Sequence, residues 1–181
     1  MVTKRTTGTG RRIAVLGILT GLGLVAFLLE SLIPIPYLPG AKLGFSNIFS
    51  MLALVLYGLP NALVVVLVRT FLGSLFAGNI SMMLYSTTAG LLSVCACRLM
   101  LLLIPRISFV AVSVTGAVLH NLVQLSVYCA LAGTAQLFGY APYLCLLGAV
   151  SGAVVGLAVT YILKLLPARI LPQDRDKGGI K

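Results

Sequence analysis

The sequence predicts an all-α integral membrane protein of six transmembrane helices with both termini in the cytoplasm. Three observations carry that expectation. Of the 181 residues, 60% are hydrophobic and 9% charged, against about 25% charged in soluble domains. The apolar runs continue to about residue 166, which a single removable leader does not explain. And the cations are one-sided. Lys4, Arg5, Arg11 and Arg12 precede the first run, Arg98 and Arg106 bracket the fourth-to-fifth turn, and Lys164, Arg169, Arg175, Lys177 and Lys181 close the chain. Positive charge concentrates on the cytoplasmic side of membrane proteins. The +10 net charge therefore reports topology and attraction to lipid headgroups, not a nucleic-acid surface.

A span needs roughly 20 apolar residues at 1.5 Å rise. Six segments are read on that basis: 13–33, 45–58, 60–78, 81–104, 107–132 and 141–166. The second is short and ends in the Gly-Pro turn "YGLPN", so it is tilted, kinked or partly re-entrant. Together they form one membrane domain over residues 13–166, between a basic tail at 1–12 and a polar basic tail at 167–181. The four cysteines fall in apolar runs without metal-type spacing and read as small hydrophobes.

Several function classes are excluded by what is missing. No GxxxxGK[ST] run is present to cradle a nucleotide. The acidic residues are Glu30, Asp174 and Asp176 alone, too few for the Mg²⁺-binding clusters that diphosphate chemistry needs. The expectation is a protein that is not itself an enzyme, holds no cofactor or metal, and cannot hydrolyse ATP alone.

Polar groups inside a membrane are costly and are functional candidates by default. Arg69, in "VVVLVRTFLGSLFAG", falls near mid-span, where a charge costs about 2.5–3.5 kcal/mol on insertion scales. It either pairs with Glu30, snorkels, or anchors an anionic ligand. The fifth segment carries His120, Asn121, Gln124 and Tyr128 at helical spacing. These either bond between helices or line a cavity. The fourth begins "GNISMMLYSTTAG", with Asn79, Ser81, Tyr85 and Thr88 in its outer half. The stretch "IPIPYLPGAKLGFSN" places Pro34, Pro36, Pro39, Gly40, Lys42 and Asn47 on that same outer side. This convergence predicts an outward-facing pocket with the loop as a semi-rigid lid, its prolines keeping it extended. Gly17 and Gly21 form a GxxxG pair in the first segment, which lets another helix approach closely, from within the chain or from a partner. Gly148, Ser151, Gly152 and Gly156 repeat the device in the sixth, read as internal packing.

The runs "ESLIPIPYLPGAKLGFSNI", "VRTFLGSLFAG", "LYSTTAGLLS" and "GAVLHNLVQL" resemble the Gx transporter family, also catalogued as heptaprenyl diphosphate synthase component I. The resemblance covers about residues 12–166. That family is similar to the S components of energy-coupling factor (ECF) transporters, six-helix membrane proteins with cytoplasmic termini and an outward pocket capped by the first loop. The resemblance implies an S-component-like bundle that captures a small polar or anionic molecule. It implies docking through Gly17 and Gly21 to a transmembrane coupling subunit, with separate ATPases supplying energy. It places Lys42, Asn47, Arg69, Tyr85, His120, Asn121 and Gln124 where pocket or gating groups lie. No vitamin-specific signature is seen. The other catalogue name implies instead a non-catalytic membrane accessory of a prenyl synthase.

Overall fold

The structure, a computed structural model, describes residues 9–32 and 44–166. Those residues form six α-helices and no strand: α1 Thr9–Leu32, α2 Asn47–Tyr57, α3 Leu59–Phe76, α4 Ile80–Leu103, α5 Phe109–Ala132 and α6 Ala141–Leu165, with a single 3₁₀ turn at Gln136–Tyr140. All but α2 are long and apolar enough to cross a membrane. With backbone groups unable to hydrogen-bond to lipid, helices are the form that satisfies them internally. The helix α1 starts at Thr9, ahead of the expected boundary, and carries Arg12 into a hydrogen bond with Asn61 Oδ1 at 2.8 Å.

Turn chemistry sets the boundaries. Gly58, at φ 81°, ends α2, and Pro60 opens α3, where its missing N–H costs nothing. Asn79 caps α4 by accepting from the Met82 amide, and Ser108 caps α5 by accepting from Ala111. Gly133, left-handed at φ 65°, closes α5.

At 11 residues α2 is about 16 Å long, about half of a bilayer's hydrocarbon thickness. It is neither a full span nor a lipid-facing element. It packs against α1, α3, α4 and α6 and buries Ser50 through Leu54 together with Leu56. A helix apolar on all sides belongs in an interior, and here that interior is the centre of the main core, with Val65, Val66, Val94, Val112, Val155 and Val159 around it. The other helices pack on one another in order: α3 runs parallel to α1, its Asn61, Arg69 and Gly73 beside Arg12, Gly23 and Phe27, whereas α4 on α3, α5 on α4 and α6 on α5 are antiparallel.

Among helices that water does not drive together, close approach and hydrogen bonds matter most. The α5–α6 contact depends on Gly148, Gly152 and Gly156: a Cβ at Gly152 would stand 2.7 Å from the Ser113 carbonyl oxygen, and one at Gly156 2.5 Å from Val110 Cα. Asn121 Nδ2 donates across the same interface to the Leu144 carbonyl at 2.9 Å. Ser93 Oγ donates to the Gly116 carbonyl at 2.8 Å between α4 and α5, and the Thr70 and Thr87 hydroxyls meet at 2.8 Å between α3 and α4. Gly17 and Gly21 behave differently. Nothing lies within 4 Å of a Cβ built at either, so their small size serves no packing inside the described chain. Of the cysteines, Cys97 and Cys129 are buried, whereas Cys95 is exposed on the outer surface of α4.

Candidate functional site

Arg69 is the largest fully buried side chain of the described residues, 1% exposed. Its position follows from the helix spacing on α3, which turns Val65, Val66, Arg69, Thr70 and Gly73 inward as one face. On the opposite side Gly23 of α1 makes room: a Cβ there would stand 3.1 Å from Arg69 Cδ. The guanidinium donates from Nη2 to Asn47 Oδ1 at 3.2 Å, at the first residue of α2. Its Nε and Nη1 have no hydrogen-bond partner among the described residues.

The group faces a small cavity of about 10 Å³, near the room one water needs. Five helices contribute to the walls: Glu30 from α1, Asn47 from α2, Arg69 and Thr70 from α3, Ser86 from α4 and His120 from α5, beside Ser46 in the turn before α2. Glu30 accepts from the Ser46 amide at 3.1 Å and from its hydroxyl at 3.4 Å. Arg69 thus gives its hydrogen bond to Asn47 while the carboxylate's charge acts on it across the cavity. The arrangement holds a cation whose Nε and Nη1 are unused among the described residues, hydrogen-bonded to a neutral amide and facing a carboxylate that Ser46 already engages. Such donors suit an oxyanion or a carbonyl group.

The expected site residues divide into three sets. Asn47, Arg69 and His120 meet at the cavity. Tyr85 is buried one layer away, in a small cluster with Phe27 and Met82, its ring edge-on to Tyr128 at 5.8 Å between centroids. Asn121 and Gln124 are buried on α5 outside that cavity, Asn121 turned toward α6. Lys42, Pro34, Pro36, Pro39 and Gly40, and with them most of the expected lid, lie outside the described residues. On α4, Asn79, Ser81 and Thr88 are exposed; Asn79 acts as the cap and Thr88 donates to the Leu84 carbonyl.

Sequence reasoning passed over Ser50, Ser74, Ser86 and Ser113. Eight helical hydroxyls, among them Thr20, Thr70, Thr115 and Thr160, donate to a carbonyl three or four residues back on their own helix. Ser50, Ser74, Ser86 and Ser113 are buried and do not. Two signals were present in the sequence: Ser86, Gly90, Ser93 and Cys97 recur at helical spacing on α4, and Ser113, Gly116 and His120 on α5.

Neither a curated protein nor a solved structure matches the chain. Residues 19–162, which include every residue lining the Arg69 cavity, match the family described as heptaprenyl diphosphate synthase component I. This multi-pass helical membrane protein therefore belongs to the heptaprenyl diphosphate synthase component I family.

Proposed function

We propose that the protein is a substrate-capture subunit of the ECF S-component type, multi-pass in a bacterial plasma membrane with both termini cytoplasmic. It takes up a small polar or anionic molecule, and a separate transmembrane coupling subunit with its ATPases supplies the energy. The observation that carries this reading is Arg69, a buried cation whose Nε and Nη1 have no partner among the described residues, facing a cavity walled by five helices. A purely structural arginine would use those donors internally, because an unsatisfied buried polar group costs about 1–3 kcal/mol. A group retained at that cost in an apolar bundle is best explained by a ligand that supplies the acceptors. At about 10 Å³ the space beside Arg69 has room for about one water, so a larger ligand requires the residues around it to move. In this reading Asn47 and His120 contact the ligand beside Arg69, Lys42 approaches from the first loop, and Tyr85, Asn121 and Gln124 support the pocket from behind.

The docking surface is the outward face of α1. Gly17 and Gly21 are exposed, beside Ile18, Leu22 and Val25, and this gives a helix backbone that a partner helix can approach closely. Replacing both glycines with leucine should leave folding and ligand retention unchanged while ATP-driven uptake and co-purifying ATPase are lost. Measuring both in membrane vesicles separates docking from capture. Uptake at the wild-type rate by the double variant would remove α1 as the docking face.

The family description favours a second reading: a non-catalytic membrane accessory of heptaprenyl diphosphate synthase, with Arg69 meeting a prenyl diphosphate head group. Both readings share the site and differ in the partner.

A further inference from the structure

A second cavity, of about 30 Å³, lies among α2, α4, α5 and α6. Its polar wall is Asn47, Ser50, Ser93 and Ser113. Ser50 is one helical turn along α2 from Asn47. Ser93 and Ser113 are each seven residues, roughly 10 Å, from Ser86 and His120 of the Arg69 cavity. Asn47 lines both cavities, so a polar seam runs from Arg69 into the half of the bundle where α5 begins and α6 ends.

We infer that this chamber is a water-binding site, holding one or two water molecules between the hydroxyls of Ser50 and Ser113. Both side chains are buried, 1% and 6% exposed, and neither oxygen has a hydrogen-bond partner in the described chain. Ser93 Oγ donates its O–H to the Gly116 carbonyl and offers the chamber only lone pairs. A buried water needs roughly 10–15 Å³ and two to four polar partners, and this chamber supplies both. A metal cation fits poorly: the wall carries no carboxylate, and the amide oxygen of Asn47 already accepts from the positive Arg69. Filling by an apolar group would leave two buried hydroxyls unsatisfied, which is costly. Water in the chamber places solvent on the far side of Asn47 and eases the burial of the Arg69 charge. The proposal needs no transported ligand and stands apart from the functional reading above.

Two sulfur side chains make the site measurable. Met51 and Cys97 line the chamber, each 5% exposed. Met82 and Cys129, 6% and 5% exposed, line neither of the two cavities. X-ray pulses convert bound water to hydroxyl radicals that oxidise the nearest side chain, so burial alone protects equally but adjacent water does not. In the full chain in lipid nanodiscs, Met51 and Cys97 should oxidise about fivefold or more faster than the two controls if an ordered water neighbours them. The Ser50→Ala, Ser113→Ala double variant should bring them down to the control rates while Met82 and Cys129 stay unchanged. Equal rates for all four sulfurs in the wild type would overturn the proposal, and that comparison stands even if the double variant fails to fold. Undiminished labelling in a folded double variant would overturn it as well.

Discussion

Arg69→Met should yield a bundle that melts within a few degrees of the wild type yet no longer retains its ligand. Two opposing terms set the stability. The variant loses one charge-assisted hydrogen bond to Asn47, about 1.5–3 kcal/mol, and the attraction of Glu30. It also removes a guanidinium whose insertion costs about 2.5–3.5 kcal/mol and whose Nε and Nη1 have no partner among the described residues. Glu30 keeps its bonds from Ser46, so it is not stranded. The net change is small, whereas charge-assisted hydrogen bonds to a ligand are worth about 1.5–3 kcal/mol, or roughly 10–100-fold in affinity. Native mass spectrometry and thermal melting of the same preparations read the two effects separately. Ligand retained by the variant would remove Arg69 from the site. A bundle that no longer folds would make the arginine structural.

Gly156→Leu should abolish the folded protein, and Gly152→Leu nearly so. Each glycine faces the backbone of α5, not a movable side chain: a Cβ at Gly156 would also lie 2.9 Å from the Phe109 carbonyl oxygen, and one at Gly152 2.7 Å from Val114 Cα. Relief requires α5 and α6 to separate along much of their length, which breaks the Asn121–Leu144 bond and the packing of Val155 and Val159. Overpacking commonly costs about 1–3 kcal/mol where side chains can yield; where backbone must yield, about 3 kcal/mol or more is expected. Size-exclusion profiles of fluorescent fusions should show loss of the monodisperse peak. The Gly17→Leu, Gly21→Leu double variant should keep it, since open space surrounds both positions.

The long helices were legible because twenty apolar residues in a row have few alternatives to spanning, and their ends carry readable punctuation at Pro60, Asn79, Ser108 and Gly133. The place of α2 was not. Its shortness is plain in the sequence, but only its contacts show that it forms the centre of the core. Arg69 and His120 stood out as polar groups in apolar runs and Asn47 as the last residue of the proline-rich stretch, and the structure brings the three to one cavity. Tyr85 is buried while Thr88, three residues on, is exposed, because the buried face of α4 runs through Tyr85, Ser86, Ala89 and Ser93. The serine-lined chamber escaped notice for a chemical reason. A membrane-helix serine usually bonds back to its own helix, and Ser50 and Ser113 are informative only because they do not. Among the glycines the sequence drew attention to Gly17 and Gly21. The one that admits Arg69 is Gly23, a single residue with no repeat to mark it.

The most direct test is purification of the protein from its native membrane in mild detergent, with mass spectrometry of every protein retained. An ECF transmembrane subunit together with its ATPases is the predicted result. A soluble prenyl diphosphate synthase in their place would contradict the transport account and make the protein an accessory of that enzyme.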